Sequence, residues 1–289
     1  MIDLHTHLWR HEPGTPMPSY DQLARSCEFA ATRGVEQIAI TEHCNRFEEI
    51  ADVALPLWRR TGSSELQAAA DHVWSTERGA HLDDYVELLT TAQERGLPLL
   101  VGLEVDHLPG ANDAVAAVLD AYPFDVLLGS VHWLGAWLFD AYGNPTFARE
   151  WEDRSVDDVW TAYVDAVIEL ARSGLVDVLA HVDVVKVTGR RPDGLAAFEA
   201  RLCAGIASTG VVVEVSSAGL RKPAHELYPS LGLLGLLHEA GVAFTTASDA
   251  HGIDQLGVDL DTVRIELDRI GVETLATFVG RERVSIAVD

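Results

Sequence analysis

The chain has 289 residues, 48% of them hydrophobic, which is ample for a large core and fits a single α/β barrel as well as it fits two domains. Its formal charge of −24 disfavours nucleic acid and anionic membranes as partners, and any site for a phosphorylated ligand needs local cations. No apolar run reaches the roughly 18 residues of a membrane span.

Strand and helix patterns alternate along the chain. Ile2 to His7 reads as a first strand. Tyr20 to Arg33 has helical spacing, with Ser19 as N-cap and Gly34 as stop. Glu36 to Ile40 is a second strand, leading into Thr41-Glu42-His43. Helix His81 to Arg95 precedes strand Leu99 to Val105, and helix Asn112 to Ala121 precedes strand Asp125 to Val131. Helix Asp157 to Arg172 precedes strand Val176 to His181, and helix Leu195 to Ser208 precedes strand Val211 to Val215. Helix Leu231 to Ala240, strand Ala243 to Ala247 and helix Asp261 to Ile270 follow, with a short terminal strand over Val284 to Val288.

Seven such units predict parallel strands with right-handed crossovers. The expected fold is α/β, a (β/α) barrel of seven main strands forming one domain over 1–289, with an open doubly wound sheet as the runner-up. Two insertions stand out, at about 44–80 and 133–155. The first contains Leu66 to Thr76, of helical pattern. In the second, Trp133, Trp137, Phe139 and Trp151 are read as local packing. Asp3 and His5 follow Met1 too closely for a signal peptide. Cys27, Cys44 and Cys203 make no CxxC pair, so neither a disulfide framework nor a zinc knuckle is expected. A cytoplasmic protein fits these features.

His5 and His7 are at i and i+2 on a strand, so both imidazoles face one way, and two neutral imidazoles on one face invite a divalent metal. The later strand ends deliver Glu42 and His43, then Glu104, Asp106 and His107, then His132, then His181 and Asp183, and last Asp249 and His251. Chance would not favour one end of each strand, and barrel active sites lie at the C-terminal face. His11 follows His7 closely enough to join. His72, His81 and His238 sit on predicted helices and are read as surface or capping groups. His107 is placed at the rim, and His225, in a loop beside Arg221 and Lys222, is not assigned to the cluster.

The segments Leu4-His5-Thr6-His7, Thr41-Glu42-His43, Gly102-Leu103-Glu104-Val105-Asp106, Gly129-Ser130-Val131-His132 and Ser248-Asp249-Ala250-His251 resemble the PHP (polymerase and histidinol phosphatase) superfamily. Its histidinol-phosphate phosphatase branch looks nearest, with Ser217 to Pro223 and Tyr228-Pro229-Ser230 also similar to it. The resemblance implies a distorted (β/α)7 TIM-like barrel with the active site at the C-terminal strand ends and three divalent ions of Zn, Fe or Mn. Carried over by position, His5, His7, Glu104 and Asp249 would hold the first ion. Glu104 would bridge to a second, held by His132 and His181, and His11, His43 and His251 would hold the third. Pro13-Gly14 occupies the stretch where branch members often carry the counterpart of His11. Glu42 stands where many members have Asp, and its longer arm suits a place outside the ligand set.

The expected activity is metal-dependent hydrolysis of a small phosphomonoester, L-histidinol phosphate first, by a hydroxide bridging two cations. Glu104, Asp249 and His251 are the catalytic candidates, and Arg221, Lys186 and Lys222 the cationic clamps on the phosphate. The alternative is a PHP-type phosphoesterase or nuclease acting on nucleotides or short oligonucleotides, against which the missing basic track counts. A non-catalytic metal scaffold sits poorly with an intact ligand set. An amidohydrolase-type deacylase would want a lysine on a middle strand, which is not found.

Overall fold

The strands of this protein are buried on both faces, as parallel strands flanked by helices must be. The computed structural model describes residues 1–9 and 14–288. Seven strands pair in parallel in chain order: β1 (Ile2–Thr6), β2 (Gln37–Ile40), β3 (Leu99–Asp106), β4 (Val126–Ser130), β5 (Val178–Leu179), β6 (Val212–Ser216) and β7 (Phe244–Ala247). Gln37 is the one residue in them that is not buried. The edges meet: Thr6 bridges Ala250 in parallel, His7 N–H donates to the Ala250 carbonyl at 2.7 Å, and the Thr246 hydroxyl donates to the Ile2 carbonyl at 2.6 Å. The sheet is therefore a nearly closed, distorted (β/α)7 barrel and not an open doubly wound sheet.

Helix boundaries follow the local signals. Ser19 and Gln22 form a reciprocal capping box at the start of Tyr20–Thr32, and Gly34 takes φ +73° just past its end. Two helices escaped the sequence reading. Glu48–Leu57 precedes Ser64–Glu77 in the first insertion, and Pro145–Asp153 lies in the second. The second insertion also holds a short ribbon, Trp133–Leu134 against Trp137–Leu138. Its aromatics pack locally, as expected. Trp137 and Trp151 lie 5.0 Å apart edge to face, and their indole N–H groups donate to the carbonyls of Phe147 and Phe139. No helix among the described residues is long and apolar enough to cross a membrane.

After the barrel, β8 (Thr274–Val279) and β9 (Glu282–Ala287) form an antiparallel hairpin, of which only the second strand was expected. Its turn residues Gly280 and Arg281 both take positive φ, +54° and +67°, as a two-residue hairpin turn requires. That turn docks where β4 and β5 begin. Arg281 N–H donates to the Asp125 carbonyl and Gly280 N–H to the Asp125 carboxylate. The Arg281 guanidinium grips Asp177 at 3.0 Å and the Leu175 carbonyl at 2.9 Å. Arg281→Ala is expected to lower unfolding stability by about 1–3 kcal/mol, because charge-assisted bonds are lost while Asp177 stays partly buried. Urea unfolding followed by circular dichroism measures this, and an unchanged midpoint would refute the docking role.

Candidate metal centre

Because β1 alternates, His5 and His7 both enter the lumen, and the other strand ends bring their groups to meet them. Glu104, on β3, is the common neighbour. Its Oε1 lies 3.1 Å from His181 Nε2, 3.4 Å from His5 Nε2 and 3.6 Å from His132 Nε2. Its Oε2 lies 2.6 Å from His43 Nδ1 and 3.5 Å from His7 Nε2. Asp249 Oδ1 approaches His7 Nε2 at 3.5 Å. Among the described residues, four three-residue groups have donor atoms within 4.8 Å of one another: His5, His7 and Asp249; His5, Glu104 and His181; His43, Glu104 and His132; and His7, His43 and His251. His43 thus sits between two groups, where the resemblance had assigned it to one. His11 lies outside the described residues.

The ring orientations test whether cations fit. His5 Nδ1 is 2.8 Å from Glu214 Oε2, and His132 Nδ1 is 2.9 Å from Asp106 Oδ1. A carboxylate partner places the proton on Nδ1 and leaves a lone pair on Nε2. Those lone pairs point at other imidazoles, His5 Nε2 at His7 Nε2 (3.0 Å) and His132 Nε2 at His181 Nε2 (3.3 Å). Contacts this short need a proton or a shared cation between the two nitrogens, and with Glu104 and Asp249 beside them the residues fit divalent ions; the imidazole and carboxylate set suits Zn, Fe or Mn.

The electrostatics agree. Burial works against charge on Glu104, yet His5, His43 and His132 hold its carboxyl well below the usual range. Burial, with His43 and His251 alongside, pushes His7 well below its ordinary value and keeps it neutral, as a ligand must be. Burial also opposes charge on His5, but Glu214, Glu104 and Asp249 drive its value well upward, a measure of the negative charge gathered here.

Several carboxylates hold the site without belonging to a donor group. Asp3 accepts from Ser248 N–H (2.7 Å), the Ser248 hydroxyl (2.6 Å) and Gly257 N–H (3.0 Å), fixing the loop that carries Asp249 and His251. Asp249 and His181 take positive φ, +50° and +27°, a strain of about 1–3 kcal/mol each that such bracing must offset. Glu42 accepts Leu8 and Trp9 N–H at 2.8 Å, and burial raises its carboxyl to about 7 despite nearby Arg46. It buttresses the chain after β1, in keeping with its longer arm.

The cations fall out differently from one another. Lys186 is buried, and its ammonium meets Asp183 at 2.7 Å, the Leu227 carbonyl at 2.8 Å and Glu226 at 3.2 Å. Asp183 in turn accepts Ser230 N–H at 2.8 Å, so the pair braces the segment that presents Tyr228. Arg221 ties its loop to the Ser248 carbonyl at 2.5 Å. Lys222 instead lines a cavity of about 100 Å³ over Glu104, His132, His181 and Asp249. Tyr228 and Asp140 line it too, and the buried Tyr228 hydroxyl has no hydrogen-bond partner among the described residues. Burial, with Asp183, Asp249 and Asp140 nearby, holds that hydroxyl above the usual phenol range, so it keeps its proton.

The remaining histidines join none of the donor groups found among the described residues. His107 is buried against Asn112, His72, His81 and His225 are exposed, and His238 is half-buried on its helix. Sequence reasoning passed over Glu214 and Asp140, and it named Asp106 only in the strand-end series and in a motif, and Tyr228 only in a motif, without giving either a role. Glu214 left a signal, a lone carboxylate inside the apolar run Val211 to Val215, and Asp106 left another, two residues from Glu104 and so on the same face of β3. Glu214→Gln is expected to weaken metal retention about 10–100-fold by releasing the His5 ring. Metal content after dialysis at fixed free Zn measures this, and full retention would refute it.

Residues 3–218 match the PHP domain. The chain is 31% identical over 276 residues to a Deinococcus radiodurans protein named "Probable histidinol-phosphatase", covering 94% of each chain. A Schizosaccharomyces pombe protein of the same name is 22% identical over 261 residues, covering 85% of this chain and 80% of that one. In fold, the chain is similar to the histidinol phosphate phosphatase of Lactococcus lactis, solved with Zn, L-histidinol and phosphate. The TM-score is 0.71 at 17% identity, with 98% of each chain covered.

Proposed function

This chain belongs to the PHP domain family and is a histidinol-phosphatase-like, metal-dependent phosphomonoesterase, and from that premise we propose that it hydrolyses L-histidinol phosphate in cytoplasmic histidine biosynthesis using three divalent ions. The observation that carries this reading is the crowding of imidazoles around one buried carboxylate, Glu104, beneath a small cavity.

His5, His7 and Asp249 would hold one ion, and Glu104, His132 and His181 a second. His43 and His251, with His11, would hold the third. When bound, the ions would acidify water and offset phosphoryl charge. The protein's own groups do the rest. Glu104 stays ionised and is shared between two donor groups, so it would be a ligand common to two ions. Lys222 and Tyr228 line the same cavity, and there Lys222 would offset charge on the phosphoryl group. Lys186 and Arg221 act from behind, by bracing the segments that carry Tyr228, Ser248 and Asp249.

The cavity's size and the acidic surface favour a small ester over nucleotides or oligonucleotides. Phosphate release from histidinol phosphate by metal-loaded protein should exceed that from nucleoside monophosphates and short oligonucleotides, and chelator should abolish it. Preference for an oligonucleotide would overturn the reading. Glu104→Gln should cut kcat/KM at least ~100-fold together with bound metal, and a fully active variant would remove the mechanism.

A further inference from the structure

A groove of about 930 Å³ runs between helices Asn112–Leu119, Val156–Ser173 and Leu195–Ile206, and it shares no lining residue with the cavity over Glu104. Small-molecule sites span roughly 300–1,000 Å³. Asp165, Ile168, Glu169 and Arg172 fall at i, i+3, i+4 and i+7, so one stripe of helix Val156–Ser173 forms a wall. Ala204 and Gly205 line it from the neighbouring helix, where a Cβ on Gly205 would collide with the Ile168 side chain.

Both signs of charge stand open in this groove. Arg201 pairs with Asp165. The guanidinium groups of Arg59 and Arg172 form no ion pair or hydrogen bond among the described residues, although Asp113 and Glu169 line the same space. Exposed charges alone say little, but this groove also has a connection inward. Asn112, which lines it, accepts Leu108 N–H through Oδ1 at 3.0 Å, so its amide nitrogen is the atom 3.0 Å from His107 Nδ1. An amide N–H donating to Nδ1 leaves the ring proton on Nε2. That nitrogen is buried without a hydrogen-bond partner among the described residues, and Glu169 Oε2 stands 3.8 Å from it, too far to bond. His107 N–H donates to the Ser130 carbonyl at 2.8 Å, and the adjoining Asp106 holds His132 Nδ1 at 2.9 Å. Side chains lining the groove thus hold a ring whose chain neighbour orients a candidate metal ligand.

We propose that this groove is a regulatory site for a small zwitterion, a free α-amino acid. Arg172 and Arg59 take its carboxylate, and Glu169 and Asp113 take its ammonium. In the empty groove Glu169 can close on His107 Nε2–H. A bound ammonium holds it away, and the difference passes through His107 and Asp106 to His132. A lone anion or lone cation meets one favourable and one unfavourable charge, so the site selects molecules that carry both.

Isothermal calorimetry on metal-loaded protein, with each standard L-amino acid, acetate and glycinamide, tests the site independently of turnover. At least one amino acid should bind saturably, and at least tenfold tighter than acetate or glycinamide. Arg172→Gln and Glu169→Gln should each weaken that binding at least tenfold. The amino acid should change kcat/KM on histidinol phosphate at least twofold in wild type but not in Arg172→Gln, whose rate without it should match wild type. Amino acids also chelate metals, so binding that survives both substitutions would place them at the ions and overturn the proposal. Absence of saturable binding, equal binding of acetate, or binding that leaves turnover unchanged would overturn it too. Turnover of no ester would instead overturn the phosphatase reading and leave the calorimetric result to decide the site.

Discussion

Glu104 is 1% exposed and stands within 3.6 Å of five imidazoles, those of His5, His7, His43, His132 and His181. Removing a carboxylate and its neighbours from water costs several kcal/mol per charge unless attraction inside the protein offsets it. Protons alone offset it badly, because each imidazole that takes one repels the next. Shared divalent cations satisfy carboxylate and lone pairs together. The barrel provides the geometry for this. Parallel strands all end at one rim, and β3, which carries Glu104, is the longest of the seven.

Around this centre a ring of carboxylates works at one remove. Glu214 and Asp106 set the tautomers of His5 and His132. Asp3 fixes the loop bearing Asp249, Glu42 holds the chain after β1, and Asp183 pairs with Lys186. Each is buried and each meets donors, so none demands a metal of its own. The strained backbone of His181 and Asp249 sits within this bracing, which is how a folded protein sustains unfavourable φ at a site.

The strand ends were legible because a two-residue period and a one-sided rim are properties of sequence order alone. His5 and His7 declare a shared face, and the placement of His43, Glu104, His132, His181, Asp249 and His251 after strands follows from the same logic. The missed elements had weaker local marks. Glu48–Leu57 carries Pro56 in its last turn, and its buried stripe is only Ile50, Ala51 and Ala54. Pro145–Asp153 begins with an Asn144 cap and an N-terminal proline, a signal that was present and unread. The hairpin strand Thr274–Val279 gains its meaning only where Arg281 reaches Asp177, over 100 residues away. Lys186 shows the same limit. Its partners Glu226 and Leu227 come from a segment that folds back onto it, and no spacing in the chain announces that.

The central claim is that buried imidazoles and carboxylates converge on cations at Glu104. Anomalous diffraction from crystals of metal-loaded protein tests it most directly. The account predicts metal peaks bonded to Glu104 oxygen at about 2.0–2.2 Å, with His5, His132 and His181 nitrogens in the same shells. A saturated crystal with Glu104 hydrogen-bonded to imidazoles and no metal beside it would contradict the account.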